Sequence, residues 1–211
     1  MSQLSLKARA IAMLTAAGSG EGVVSYMYLD TVSKVTIGYG FMMPSAASTS
    51  QVNMVDARGY PASDAQKQAE WNRLRALSAD GAKINFTAGH FRKDAQLFIT
   101  DPEALRLLDV KLDEFLTALR LHYPGFDKFP DDAQLAMVDM EYNLGGKLWT
   151  VFKHFTKAVN NPKGTDWAHV ARLSHRVGIS AERNRAVRHL FLSADRALMA
   201  PGAPAPLVPT P

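Results

Sequence analysis

The sequence contains no cysteine, and this absence removes several kinds of chemistry at once. It excludes thiol nucleophiles, disulfide bonds and cysteine-ligated zinc or iron–sulfur sites. The sequence also lacks any run of the roughly 18–20 consecutive apolar residues that a bilayer-spanning helix needs. We therefore predict a soluble protein that does not insert into a membrane.

Metal-ligand motifs are absent as well. The six histidines show no HExxH pattern or comparable spacing, and no motif indicates a cofactor. We therefore expect neither a metal site nor a cofactor.

The net charge is modest: 24 Lys and Arg against 20 Asp and Glu give +4. This favours anionic partners in general without identifying one. With 47% hydrophobic residues, the chain can bury a core.

The first twenty residues combine Lys7 and Arg9 with a short, mildly apolar stretch. A classical signal peptide needs a stronger apolar region, whereas the apolar residues here recur at helical spacing. We predict a helix over residues 4–17, no classical signal peptide, and synthesis in the cytoplasm.

The next region predicts a small β-structure followed by an irregular segment. Tyrosines, valines, Thr36 and Ile37 surround an Asp30-Thr31 turn, which is typical of a β-hairpin or meander within 25–39. Residues 42–62 are rich in Ser, Ala, Pro and Gly without periodicity, which indicates a surface excursion. Ser63 is a suitable N-cap for a helix through about Leu77, and another irregular piece follows to Phe98.

The second half of the chain predicts helices. Leucines recur every three or four residues over about 101–121, which indicates one long helix. A second helix opens at Pro130, is apolar nearly all round and is closed by Gly145-Gly146, as in a buried central helix. Three shorter helices are expected at 148–160, 166–176 and 180–199. Residues 201–211 contain five prolines and predict a disordered or extended tail.

Chemistry is concentrated early in the chain. Glu21, Asp30 and Thr36 place two carboxylates and a hydroxyl within sixteen residues. Glycoside hydrolysis needs one carboxylic acid to protonate the leaving oxygen and a second carboxylate to activate water or stabilise the sugar cation. Glu21, near a helix C-terminus, is the better acid, and Asp30, in a polar turn, the better base. The alternative is a solvated Glu21 and an Asp30 that only shapes its turn.

The segments Glu21-Gly22, Tyr28-Leu29-Asp30 and 36–40 (TIGYG) together resemble the active-site signature of the phage T4-type lysozymes, glycoside hydrolase family 24, which includes pesticin-like bacterial toxins. The resemblance covers about residues 5–198 and is strongest in the first forty. It implies an α+β, mostly helical, two-lobed fold over residues 1–200. The N-lobe would span about 18–99 with an inserted segment at 42–99, the linking helix 101–121, and the C-lobe 122–199 plus the N-terminal helix.

The same resemblance implies roles for individual residues. Glu21 falls on the general acid, Asp30 on the base that activates water, and Thr36 on the threonine that helps to hold this water. Asn143 and Tyr39 fall on substrate-binding positions, and Arg185 on an arginine that pairs with the catalytic glutamate. No cofactor is implied.

Three departures from the family pattern stand out. Phe41 replaces the usual histidine, so a supporting polar contact is missing. Ser33 replaces a glycine, which raises the cost of a left-handed turn there. The segment Gly18-Ser19-Gly20 weakens the helix before Glu21.

The function implied is a muramidase that cleaves the β-1,4 bond between N-acetylmuramic acid and N-acetylglucosamine, with inversion. A lytic transglycosylase and a non-catalytic wall-binding module are the alternatives. Peptidoglycan is the expected partner, and an immunity or inhibitor protein or a component of a secretion machine is a further expected one. Nucleic acid is not expected to bind. The protein would act in the periplasm or cell wall of a target bacterium, as an exported toxin or a phage endolysin.

Other conspicuous residues have structural interpretations. Asp139 and Glu141 lie two apart on an apolar helix, so buried hydrogen bonding is expected rather than a second catalytic pair. Without interleaved aromatic residues, the basic group is expected to form a solvated face: Arg183, Arg185, Arg188 and His189. Aromatic residues at helical spacing are expected in the core: Phe152, Phe155 and Trp167.

Overall fold

A computed structural model describes residues 5–16, 22–78 and 86–199. These residues form an α+β structure, mostly helical, with one small antiparallel sheet of five strands, which confirms the predicted class. The chain divides into two compact units. We call Glu21–Lys111 the sheet unit, and Met1–Gly20 with Leu112–Pro211 the helical unit.

The sheet unit contains all five strands, in the spatial order β3-β2-β1-β5-β4. The strands are β1 (Val24–Leu29), β2 (Val35–Gly38), β3 (Phe41–Met42), β4 (Val55–Asp56) and β5 (Leu97–Phe98). The predicted hairpin is therefore confirmed as β1 and β2. Leu29, Val35 and Ile37 are buried in the core of this unit, and Val35 and Ile37 point to the same face as alternate residues of β2. All four residues of β2 are buried.

The irregular segment 42–62 does not run over the surface as predicted. It forms a 3-10 helix (Ala46–Gln51) and the edge strand β4, which pairs with β5. Met43, Val52 and Met54 are buried in the core. The prediction was wrong because these apolar residues stand singly among small polar ones and show no period that a sequence pattern could detect.

Helix α2 (Asp64–Ser78) begins as predicted. Gln66 donates its backbone N–H to the Ser63 hydroxyl at 3.3 Å and accepts the Ser63 N–H at 2.8 Å, which is a capping box. Trp71 and Leu74 pack in the core, but Leu77 is exposed, so the predicted apolar face is one turn shorter. The prediction of an irregular segment up to Phe98 was wrong for its described part, which forms α3 (Ala88–Phe91), a 3-10 helix (Arg92–Asp94) and strand β5.

The described residues of the helical unit form six α-helices, the second half of a seventh and a short 3-10 helix (Phe126–Lys128). Helix α4 (Asp101–His122) begins in the sheet unit and ends, as predicted, before Pro124-Gly125. The remaining helices are α1 (Leu6–Thr15), α5 (Asp131–Asn143), α6 (Leu148–Val151), α7 (Lys153–Val159), α8 (Trp167–Leu173) and α9 (Ala181–Met199). The helix expected at 148–160 is thus two helices, which meet at Phe152.

Helix α5 is the central helix of this unit. It packs against α9 and α1, and it is buried on nearly all sides, as its apolar pattern predicts. Gly145 and Gly146 adopt φ of 59° and 82° and end the helix, since glycine enters this region at little cost. Phe155 and Trp167 are buried, as expected, whereas Phe152 is only half-buried. The Trp167 ring stacks parallel to Phe191.

Several predictions fall outside the described residues: Glu21, the segment Gly18-Ser19-Gly20, the first and last residues of the predicted N-terminal helix, and the tail 201–211. Within the described part of the chain, no helix is both long and apolar enough to cross a bilayer.

Candidate functional site

Asp30 organises the loop that joins β1 to β2. Its Oδ1 accepts the backbone N–H groups of Val32 at 2.9 Å and Lys34 at 2.8 Å. The Asp30 backbone also accepts from Ser33 N–H and donates to Lys34 C=O, both at 2.9 Å. Four bonds therefore fix the loop and the direction of the carboxylate. The second oxygen, Oδ2, takes no part in these bonds.

Thr36 lies beside Asp30 on the hairpin. In the antiparallel register Tyr28 is opposite Thr36 and Leu29 is opposite Val35, and the hydrogen-bonded pair Asp30–Lys34 follows. Asp30, Tyr28 and Thr36 therefore share the face opposite the core residues, with Asp30 and Thr36 at diagonal positions about 7–8 Å apart by ordinary sheet geometry. The structure therefore places these two predicted residues on the same face of the hairpin.

The Thr36 hydroxyl donates to Lys34 C=O at 3.1 Å, which leaves its lone pairs available to accept a bond. The side chain is only 3% exposed. Tyr39, half-buried, occupies the turn between β2 and β3, where Gly38 and Gly40 have φ of 64° and 80°. A Cβ on Gly38 would lie 3.4 Å from Ile99 Cδ1, so glycine there satisfies both the backbone and the packing.

The predicted acid, Glu21, lies outside the described residues. Its distance from Asp30 and its pairing with Arg185 remain predictions. Ser33 and Phe41, the two departures from the family pattern, can be placed. Ser33 has φ of 59°, the strained left-handed conformation expected there, and Phe41 is buried in the core of the sheet unit.

Asn143 belongs to a buried polar network in the helical unit. Its Oδ1 accepts a short hydrogen bond from Arg176 Nη1, and this nitrogen also donates to Asp139 Oδ2 at 2.7 Å. Arg183 donates to Asp139 Oδ1 through Nε at 3.0 Å and Nη2 at 2.8 Å. Asp139 is 3% exposed and Arg176 2% exposed. The expectation of a buried structural role for Asp139 is confirmed.

The predicted solvated basic face was wrong for Arg183, which is buried against Asp139. The sequence pattern does not show this difference. On α9 the Arg183 side chain points to α5, whereas those of Arg185 and Arg188 point away from it. Arg185 is exposed, and its Nε donates to Ala181 C=O at 3.3 Å. Together with Arg172 and Arg188, it lines a groove between α8 and α9.

Two buried carboxyl groups have pKa values shifted in opposite directions. Burial raises the pKa of Glu141 above 4.5, and one bond from the Leu148 N–H, at 3.0 Å, only partly opposes this. Burial would also raise the pKa of Glu103, but hydrogen bonds from Arg106 and Asn53 outweigh it and lower that pKa below 4.5. Within the described residues, Glu141 Oε1 and Arg176 Nη2 are buried without a hydrogen-bond partner.

Sequence reasoning missed Arg176, Arg172 and His175, which lie close together in the chain. Their spacing carries no motif, and the only signal was the unusual density of basic residues between 172 and 188. The loop around Asp56 was missed too, although its Asp-x-x-Gly spacing is a recognisable turn signal.

Among the residues that the structure describes, no group of three or more His, Asp and Glu is placed to hold a metal ion. Comparisons with protein-family models, with curated proteins and with solved structures find no match.

Proposed function

We propose that the protein is a muramidase that hydrolyses the β-1,4 bond between N-acetylmuramic acid and N-acetylglucosamine in bacterial peptidoglycan. The observation that carries this proposal is the hairpin geometry: Asp30, with a carboxylate held in place by two backbone amides, lies diagonal to Thr36 on one face. An oriented carboxylate next to a hydroxyl is the arrangement that positions and deprotonates a water.

In this proposal Glu21 is the general acid, nine residues before Asp30. It protonates the leaving oxygen while Asp30 deprotonates the water that Thr36 helps to hold. The anomeric carbon is inverted, which requires the two carboxyl groups to stand roughly 6.5–9.5 Å apart so that a water fits between them. The fold would be the two-lobed lysozyme-like one, and no cofactor would be needed.

The supporting residues complete the proposal. Tyr39, held between two glycines of positive φ, and Asn143 would contact the glycan, and Arg185 would orient Glu21. The net charge of +4 would favour the anionic wall. The protein would act in the periplasm or wall of a target bacterium, as an exported toxin or an endolysin.

One observation favours a second candidate, a wall-binding module without catalysis. Asp56 makes the same four loop bonds as Asp30, in a loop to which no catalytic role is assigned. The geometry of Asp30 is therefore accounted for by turn formation alone. A lytic transglycosylase, which needs a single acid/base carboxylate, would also tolerate an Asp30 with this limited role.

Digestion of purified peptidoglycan by wild-type protein and Glu21→Gln, followed by mass analysis of the soluble fragments, tests the proposal. Hydrolysis gives fragments with a free reducing end, and these disappear with Glu21→Gln while the melting temperature stays unchanged. Fragments lighter by one water would identify a transglycosylase. Retention on insoluble sacculi with no fragments released would identify the binding module, and lysis by Glu21→Gln would refute the assigned acid.

A further inference from the structure

A groove of about 420 Å³ opens on the helical unit between α8 and α9. Its size falls within the range of small-ligand sites. The groove is lined by residues from the end of α8, the following loop and the first turns of α9: Ala171, Arg172, Ser174, His175, Ala181, Asn184, Arg185 and Arg188.

The charge of this groove has one sign. Arg172, Arg185 and Arg188 supply three guanidinium groups, His175 adds an imidazole, and none of the described lining residues is acidic. In the described part of the chain, none of the three arginines is paired with a carboxylate. Three guanidinium groups without a carboxylate partner among the described residues leave an uncompensated positive potential in a concave site.

The floor of the groove increases this potential. Asn184 lines the groove, and its Oδ1 accepts the backbone N–H of Arg176 at 3.0 Å, so it connects the groove to the buried network. That network holds two guanidinium groups, of Arg176 and Arg183, around the single carboxylate of Asp139. A network with net positive charge is therefore joined to the groove through Asn184.

The start of α9 adds a dipole of the same sign. Ala181 is the first residue of this 19-residue helix and lines the groove. The N-terminal end of a helix carries partial positive charge and favours anions. Its methyl side chain leaves room for a ligand to approach.

From these observations we infer that the α8–α9 groove binds the phosphate or carboxylate group of a small anionic ligand. Guanidinium groups bind both oxyanions through paired, charge-assisted hydrogen bonds. A nucleic-acid surface is less consistent with the groove, because no Phe, Tyr or Trp among the described residues lines it as a platform for a base. The inference does not depend on the proposed hydrolysis, because Arg172 and Arg188 have no role in it and supply two guanidinium groups even where Arg185 pairs with Glu21.

Isothermal titration of the full chain with inorganic phosphate, and separately with citrate, tests this inference. Sodium chloride is adjusted to hold the ionic strength constant, so that general screening does not change. We expect saturable one-site binding of at least one of the two anions. A preference for phosphate or for citrate then identifies which group the natural ligand carries.

The test variant is the double substitution Arg172→Gln with Arg188→Gln, which leaves Arg185 in place. Loss of two charge-assisted contacts should weaken binding at least about tenfold. Arg196→Gln is the matched control, since Arg196 is exposed on the same helix but does not line the groove, and its affinity should equal that of wild type. Thermal melting followed by circular dichroism verifies that each variant folds. If the double variant does not fold, the single variant Arg188→Gln takes its place.

Three outcomes would overturn the inference. Wild type could bind neither anion, the double variant could bind as tightly as wild type, or Arg196→Gln could weaken binding equally, which would indicate general charge attraction. Binding of a single-stranded oligonucleotide without binding of phosphate or citrate would show a nucleic-acid surface instead. Because the readout is binding and not lysis, failure here is distinguishable from failure of the Glu21→Gln test.

Discussion

Asp30 and Asp56 adopt the same hydrogen-bonded loop in two different hairpins. In each loop the aspartate Oδ1 accepts the N–H groups of the second and fourth following residues, at 2.8–2.9 Å. In each, the third following residue, Ser33 or Gly59, has positive φ and donates its N–H to the aspartate C=O. The two loops differ in their surroundings, and this makes each one a control for the other.

Replacement of Asp30 by Asn should lower the rate of peptidoglycan hydrolysis by about 10²- to 10⁴-fold, because general-base assistance is typically of that size. The amide oxygen of Asn can still accept both loop bonds, so the melting temperature should change little. Fragment release per unit time and thermal unfolding measure the two effects.

Asp56→Asn is the control, because it makes the same chemical change in the same loop geometry. It should leave the hydrolysis rate at the wild-type value. Equal loss of activity in both variants would show that Asp30 acts through its loop and is not a base.

Ser33→Gly should stabilise the protein by about 0.5–1 kcal/mol. A non-glycine residue in the left-handed region destabilises the folded state by about 1–2 kcal/mol, and Gly removes this strain. The greater conformational freedom of Gly in the unfolded chain offsets part of the gain. Urea unfolding at pH 7 measures the change.

Gly59→Ser is the reciprocal variant in the second loop. A Cβ at Gly59 meets nothing within 4 Å, so the substitution adds backbone strain and no steric clash. It should lower the free energy of unfolding by about 1 kcal/mol. Stabilisation by Gly59→Ser, or destabilisation by Ser33→Gly, would contradict the assignment of backbone strain to this position of the loop.

Asp139→Asn should destabilise the helical unit by about 3–5 kcal/mol, because it leaves Arg176 and Arg183 buried without their shared counter-charge. Denaturant unfolding followed by tryptophan fluorescence is suitable, since Trp167 is buried in the same unit. Asp127→Asn removes the exposed pair with Arg120 and should cost less than about 1 kcal/mol. Similar losses in both variants would argue against a special role for the buried network.

Glu103 should contribute stability at neutral pH that is lost in acid. Its pKa in the folded protein lies below 4.5, so the folded state binds its proton less readily than the unfolded chain. The contribution is complete above about pH 4.5 and falls as the pH drops through the folded pKa. Wild type should therefore be more stable than Glu103→Gln at pH 7, and the difference should shrink below pH 4.5. Parallel stability curves for the two proteins would contradict this.

Glu141 should show the opposite dependence, because burial raises its pKa above 4.5. The folded state holds this proton more tightly than the unfolded chain, so stability is lost as the pH rises from 4.5 through the folded pKa. Replacement by Gln preserves an acceptor for the Leu148 N–H and removes the buried charge. The free energy of unfolding of Glu141→Gln should therefore increase relative to that of wild type as the pH rises over this window. Urea unfolding at several pH values measures the difference.

Local and periodic features of the fold were predictable from the sequence. The α4 helix, the apolar α5 helix ended by two glycines, the Ser63 cap and the Asp30 hairpin each depend on residues close in the chain, where propensity and spacing act directly. The short helix break at Phe152 and the strand Val55–Asp56 were not predicted, because a two-residue strand has no period and forms only against a partner.

The residues of the candidate site show the same division. Carboxylate spacing and turn chemistry, which are local properties, made Glu21 and Asp30 candidates, and the resemblance of the short motifs to the lysozyme signature implied their roles and that of Thr36. Only the tertiary structure buried Arg183 against Asp139 while leaving Arg185 exposed, and gathered Arg172, Arg185 and Arg188 around one groove. The physical reason is that burial and charge compensation depend on contacts between helices far apart in the chain, which no local pattern records.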